Sequence, residues 1–270
     1  MYTKINQAYQ YIHKTYPYPI DIAIILGSGL GPLAQEIKVE QTIPYQDIPS
    51  FPLSTVKGHE GQLTIGKIHQ KTVIAMQGRF HYYEGYDMSD ITLPIRVFSK
   101  LGIEKLILTN ACGGIRDDLN PGDIVCISDQ ISLFCPSPLR GPNLDEFGPR
   151  FKDMTEIYNS QSQKLLHEIA QKQKINLKDG IYCFFQGPMF ESPAEIQAIK
   201  ALGGDLAGMS TVGEAIVARH CGMNTLGISL VTNKAAGLSN NELSHQEVID
   251  TAKKAEDKLV KLIKELIKNW

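Results

Sequence analysis

The sequence lacks the marks of several protein classes. No apolar run reaches the roughly 20 residues that a membrane-spanning helix needs. There is no surplus of positive charge either: 27 Lys and Arg stand against 29 Asp and Glu, a net charge of −2. Phosphate backbones attract an excess of Lys and Arg, so neither nucleic acid nor a membrane is expected as a partner. Any anion must be held by a local device. The five cysteines, Cys112, Cys126, Cys135, Cys183 and Cys221, form no C-x-x-C pair and no zinc spacing. An odd, scattered set reads as reduced core thiols in a cytoplasmic protein. The N-terminus shows no basic stretch followed by an apolar one, so no signal peptide is read. Internal repeats, low-complexity stretches and long charge blocks are also missing.

What remains is ordinary globular composition: 270 residues, 43% hydrophobic and 21% charged. A chain of this length buries about three-quarters of its unfolded surface and needs no disulfide or metal to fold. Strand and helix patterns alternate. Apolar runs at 22–26, 73–76, 106–109, 124–127, 181–185 and 226–231 suit strands buried on both faces. Tyr2, Ile5, Tyr9 and Ile12 recur at helical spacing. A second helix is expected from about Thr155, with Ile157, Tyr158, Leu165, Leu166 and Ile169 inward. Ser192-Pro193-Ala194-Glu195 is a capping box with Pro at the first helical position, and that helix should stop at Gly203-Gly204. A last helix buries Val248, Ala252, Ala255, Leu259, Leu262, Ile263, Leu266 and Ile267, with Ser244 as its N-cap. The expected fold is α/β: one domain over residues 1–270, a mixed central sheet between two helix layers in a three-layer sandwich. Residues 41–66 and 135–150 are rich in Pro and Gly, lack periodicity, and are expected to be long functional loops.

Several strand ends carry glycine with a polar or aromatic group. Gly27-Ser28-Gly29-Leu30-Gly31 follows the first strand and precedes a helical pattern, a setting that binds anions. It departs from the dinucleotide fingerprint in spacing, and no acidic residue closes a second strand about 20 residues on. Alone, it fits an anion, a dinucleotide or a tight turn. Gly78-Arg79-Phe80-His81-Tyr82-Tyr83-Glu84-Gly85-Tyr86 gathers a cation, an imidazole and phenols. Arg79 and His81 could hold phosphate oxygens; alternatively, Arg79 pairs with Glu84 and the aromatics fill a core. Thr109-Asn110-Ala111-Cys112-Gly113-Gly114, Gln186-Gly187-Pro188-Met189-Phe190-Glu191 and Gly208-Met209-Ser210-Thr211 share the pattern. Parallel sheets bind ligands at the carboxyl ends of their strands, so five such ends suggest one shared cleft.

In this order GSGLG, GRFHYYEGY, TNACGG, GPMFES, GMSTVGE and TNKAAG resemble the trimeric-type purine nucleoside phosphorylases, over residues 24–245. The resemblance implies phosphorolysis of a purine (2'-deoxy)ribonucleoside to free base and (deoxy)ribose 1-phosphate. It implies phosphate as co-substrate, no metal or organic cofactor, and a homotrimer. It places phosphate at Ser28, Arg79, His81, the Ala111 backbone and Ser210. Ribose falls near Tyr83, Met209 and His245, with His59 close by. The purine falls to Phe190, Glu191 and Asn233, with Ala207, Tyr182 and the backbone from Ala111 to Gly113 lining its pocket. Phe151 resembles an aromatic that a neighbouring subunit inserts over the sugar.

Two positions depart from the pattern. Cys112 stands where alanine is common, implying a tighter and oxidation-sensitive pocket. Gly213 replaces a frequent proline, implying a looser turn. Methylthioadenosine phosphorylases are the near alternative, but they usually carry aspartate where Asn233 stands and lack a segment like His81-Tyr-Tyr-Glu-Gly. Rivals of other classes are a dinucleotide (NAD)-dependent oxidoreductase built on the GSGLG loop, a non-catalytic nucleoside-binding protein, and a nucleoside hydrolase.

Overall fold

The computed structural model describes residues 1–27, 31–54, 60–239 and 245–270, with side chains of the last segment from Asp250 onward. Helix α1 (Tyr2–Thr15) leads into strand β1 (Ile22–Leu26), short α2 (Pro32–Gln35) and the hairpin-like run β2 (Lys38–Pro44), β3 (Gln62–Ile68) and β4 (Lys71–Gln77). Then come α3 (Met88–Ile91), α4 (Leu93–Lys100), β5 (Lys105–Gly114) and β6 (Ile124–Ile131). Helix α5 (Ser160–Lys172), β7 (Leu177–Phe184), α6 (Pro193–Ala201) and β8 (Leu206–Gly208) follow. The chain closes with α7 (Val212–His220), β9 (Asn224–Lys234) and α8 (His245–Asn269).

The strands form one mixed sheet in the order β2-β3-β4-β1-β5-β8-β7-β6-β9, and β9 also pairs with β5. Strands β5, β8, β7, β6 and β9 therefore close into a ring, and β1, β4, β3 and β2 extend from β5 as an open wing. Residues of β1 are buried on both sides. Ala23 and Ile25 pack against Ile5, Ala8 and Ile12 of α1 and Leu93, Ile95 and Val97 of α4. Ile22, Ile24 and Leu26 face Leu166 and Ile169 of α5 and Leu259, Leu262 and Ile263 of α8. The period-2 alternation of a strand thus feeds two separate cores, giving the expected three-layer α/β arrangement.

The sequence reading needs correction at two places. Residues 41–66 are not one long loop: β2 ends and β3 begins inside them, paired from Lys38↔Lys67 to Pro44↔Gln62. β2 is an edge strand exposed along most of its length, so it carries no apolar run. The helix expected from Thr155 starts at Ser160. The Asn159 side chain accepts from the Ser162 amide at 2.9 Å, and the Glu156 carboxylate accepts from the Ser160 amide at 3.1 Å. These two acceptors satisfy first-turn donors and set the boundary, so the buried Ile157 and Tyr158 precede the helix. Helix α6 begins with the capping box at Ser192 and Glu195 and stops before Gly203.

Candidate active site

A cleft of about 410 Å³ opens where several strands end. Its wall includes Gly27 after β1, Arg79, His81 and Tyr83 after β4, and the backbone-rich end of β5 from Asn110 to Gly113. Pro188, Phe190 and Glu191 come from the segment after β7, Ala207 to Ser210 from β8 and its exit, and Thr232, Asn233 and Ala235 from the end of β9. Gly27 and Gly113 let these ends come close. A Cβ on Gly27 would meet the Asn110 Cα and the Thr109 carbonyl oxygen at 2.7 Å, and one on Gly113 would meet Asn233 Nδ2 at 3.3 Å. Asn233 keeps its amide oriented through Nδ2 donating to the Lys234 carbonyl at 2.9 Å and Oδ1 facing Thr232 Oγ1 at 3.0 Å.

Part of the cleft gathers a guanidinium, an imidazole and a hydroxyl: Arg79, His81 and Ser210. Arg79 is only 1% exposed, although an isolated buried charge is costly. Its Nε donates to Glu214 Oε1 at 2.9 Å, and its Nη1 donates to the Thr109 carbonyl at 2.7 Å and to Ser210 Oγ at 3.3 Å. The carboxylate partner is Glu214 of α7, not Glu84. Glu84 instead accepts from the His81 amide at 2.8 Å and meets His81 Nδ1 at 3.0 Å. That pairing, with Tyr83 stacked on the imidazole at 4.8 Å, fixes the ring plane. Phe80 turns the other way, into the core beside Tyr45, Phe51 and Tyr86.

Ser210 is presented by an unusual turn. The Val212 amide donates to the Ser210 carbonyl at 2.7 Å across Thr211, whose φ and ψ are 70° and −50°. This is the rare, strained form of γ-turn, and such strain persists only where neighbours over-determine it. Here Glu214 Oε2 accepts from the Thr211 amide at 3.1 Å, and Thr211 Oγ1 accepts from Asn110 Nδ2 at 2.9 Å. A single buried carboxylate therefore holds both the guanidinium and the turn. Tyr182 supports the same corner from behind: its hydroxyl accepts from the Ser210 amide at 3.3 Å.

Elsewhere the wall is aromatic and acidic. Phe190 offers a half-exposed ring, and burial raises the Glu191 carboxyl above its ordinary value of 4.5. Met209 and Tyr83 also line the cleft, and burial pushes the Tyr83 phenol up to about 12, keeping it a neutral hydroxyl.

Residues 21–268 match the family model described as the Phosphorylase superfamily. The chain is 47% identical to purine nucleoside phosphorylase 1 of Geobacillus stearothermophilus, covering 99% of this chain and 97% of that one. The chain belongs to the purine nucleoside phosphorylases. Among solved structures it is similar to isoform 2 of the Schistosoma mansoni phosphorylase in complex with cytosine and ribose-1-phosphate. There the TM-score is 0.93 and the identity 42%, over 98% of this chain and 96% of that one. A Schistosoma mansoni purine nucleoside phosphorylase in complex with inosine superposes with a TM-score of 0.94 at 36% identity, over 99% of this chain and 96% of that one.

Within this phosphorylase site, the structure brings together Arg79, His81, Tyr83, Ala111, Phe190, Glu191, Ala207, Met209, Ser210 and Asn233. Ser28 and His59 lie outside the described residues, as does the side chain of His245, whose backbone begins α8. Tyr182 corrects an expectation: it is fully buried behind Ser210 and lines no part of the cleft. Phe151 lines none of its own chain's cleft and is 92% exposed.

The two departures from the family pattern also read differently. Cys112 is buried, and burial pushes its thiol up to about 12, which disfavours the reactive thiolate form. Gly213 does not loosen its turn. A Cβ there would run into the Met88 thioether, and the helix start is held by the Thr211–Glu214 capping box. Sequence reading missed Glu214, Thr211 and Asn110 as parts of the site. The spacing of Thr211 and Glu214 is itself a capping-box signature and could have flagged them.

Proposed function

We propose that this phosphorylase cleaves inosine, guanosine and their 2'-deoxy forms with inorganic phosphate, reversibly, in purine salvage. The observation that carries the reading is the lining of one cleft. It combines Arg79, His81 and Ser210, a set suited to an anion, with Phe190, Glu191 and Asn233, a set suited to a base. Ser28 and His245, by resemblance, would complete the phosphate and 5'-hydroxyl contacts, and His59 would lie close to the sugar.

The chemistry needs both sets. Breaking the glycosidic C1'–N9 bond passes through an oxocarbenium-like state, as in glycoside hydrolysis. The electron pair of that bond leaves with the purine while positive charge grows on the sugar. Bound phosphate beneath the ring stabilises the cation and then supplies the oxygen that bonds to C1'. Arg79 positions this anion, and Glu214 offsets part of the arginine charge so that phosphate keeps its own. The Asn233 amide can donate and accept together, so it serves N7 and O6 as the base gains charge. Only contacts that strengthen in the transition state raise the rate. No metal or organic cofactor is called for in these steps.

Glu191 carries the base preference. An ionised carboxylate accepts from the N1–H of a 6-oxopurine, whereas adenine presents an unprotonated N1 to it. Sites that leave buried polar groups unpaired reject an analogue by up to about 10⁴–10⁵. Because burial raises the Glu191 carboxyl, the acid limb of kcat/KM for inosine falls above 4.5. Activity is present above that raised value and lost as pH drops through it. The Glu191→Gln variant loses this limb; a limb unchanged in position assigns it to another group.

The decisive assay follows inosine loss with and without phosphate. The expected result is hypoxanthine and ribose 1-phosphate only when phosphate is present. Free ribose formed without phosphate would indicate a hydrolase and end the phosphorylase reading.

The reading also includes a homotrimer in which Phe151 covers a neighbour's sugar subsite. Its support is an aromatic ring left 92% exposed on its own chain. Sedimentation tests this: a fully active monomer removes it. The proposed location is the cytoplasm, where unpaired thiols such as the five here persist. Among the described residues no helix is long and apolar enough to cross a membrane.

A further inference from the structure

Three metal-ligating side chains converge away from the nucleoside cleft. Cys126 of β6 and Asp179 of β7 are register partners on adjacent parallel strands, so their side chains leave the sheet on one face. Helix α5 covers that face and brings His167, whose Nε2 lies 2.7 Å from Asp179 Oδ1. The sulfur, nitrogen and oxygen atoms all lie within 4.8 Å of one another. Cys126 is buried, His167 is partly exposed and Asp179 is exposed. The cluster therefore has a sulfur floor and a solvent-facing mouth. None of the three residues lines the nucleoside cleft, and nothing in the phosphorolysis chemistry uses them.

The donor set is selective. One thiolate, one imidazole and one carboxylate suit a borderline-soft ion, whereas calcium and magnesium take mostly oxygen ligands. Zinc–ligand bonds of about 2.0–2.3 Å in a tetrahedron separate ligand atoms by about 3.3–3.8 Å. The His167–Asp179 pair must open by about half an ångström, and the longest separation must shorten by about 1 Å. Both moves fall to the two side chains at the mouth, where rotamers are least restrained.

We propose that Cys126, His167 and Asp179 form a three-ligand site for a zinc-like divalent cation, tying β6, β7 and α5 together. On binding, the Cys126 thiol gives its proton to solvent and its sulfur donates a lone pair to the metal. The imidazole and carboxylate exchange their mutual contact for bonds to the ion, and a water fills the fourth position. No electron changes hands. The three ligands are scattered through the sequence, which is why no zinc spacing shows there.

The test uses the full-length protein stripped with a chelator and titrated with Co²⁺ alone. One equivalent per chain is expected, with a thiolate-to-cobalt charge-transfer band in the near ultraviolet. Zn²⁺ should displace it and raise the melting temperature. Cys126→Ser should lose the band. His167→Gln and Asp179→Asn should weaken binding by at least the roughly 10–100-fold that an outer-sphere partner is worth. All three variants should keep phosphate-dependent inosine cleavage, which reports intact folding. No band at millimolar Co²⁺ overturns the proposal. A band that survives Cys126→Ser also overturns it, by moving the thiolate to Cys135 or Cys221. Should Cys126→Ser fail to fold, unchanged Co²⁺ affinity in both His167→Gln and Asp179→Asn overturns it equally.

Discussion

Replacing Asn233 with Ala lowers kcat/KM for inosine by about 10²–10³, or roughly 3–4 kcal/mol of transition-state stabilisation. The loss should appear mainly in kcat, because the amide matters most as charge reaches the purine. The fold should survive: the Asn233 side chain makes one local bond to the Lys234 carbonyl and one to Thr232. Melting temperature close to that of the parent, together with the lost turnover, assigns the residue to chemistry. Near-normal kcat/KM would remove Asn233 from the leaving-group role and leave the base to Glu191 and Phe190.

Replacing Glu214 with Ala should harm both stability and phosphate handling. The carboxylate is buried against Arg79 at 2.9 Å. Removing one member of a buried pair leaves the other uncompensated, typically at about 3–5 kcal/mol. For a chain of this size that is a fall in melting temperature on the order of 10 °C. The same change releases the Thr211 amide and with it the strained turn that presents Ser210. KM for phosphate should therefore rise several-fold while KM for inosine changes little. A lower melting temperature with unchanged phosphate KM would make Glu214 packing support alone.

Much of the site was legible because glycine-rich strand ends are local signals. A reader needs only the apolar run before Gly27, Gly78 or Gly113 to place each motif at a strand terminus. The α/β layering was legible for the same reason: buried strands and amphipathic helices write their periods into short windows. Pairings between distant residues were not. Arg79 and Glu214 are 135 positions apart, and nothing local prefers Glu214 over the nearby Glu84. Tyr182 could be assigned to a wall but not to the far side of Ser210, because a strand residue's face depends on register with β8. Strand β2 was hidden because an edge strand exposed to solvent shows no apolar run, and the mostly buried β3 because Thr64 and Gly66 interrupt its apolar positions.

That edge also bears on solubility. The ring of β5, β8, β7, β6 and β9 leaves those strands paired on both sides over part of their length, so the wing's outer strand is the sheet's open margin among the described residues. An unpaired strand margin is a template for adhesion to another chain. Here β2 is studded with Lys38 and Glu40, is bulged between Val39 and Gln41, and ends at Pro44. Charge, a bulge and a residue without an amide hydrogen each spoil a flat template. A protein of nearly zero net charge has little overall repulsion to keep its copies apart. Resistance to strand-mediated aggregation is concentrated instead in these few residues along one side of the molecule.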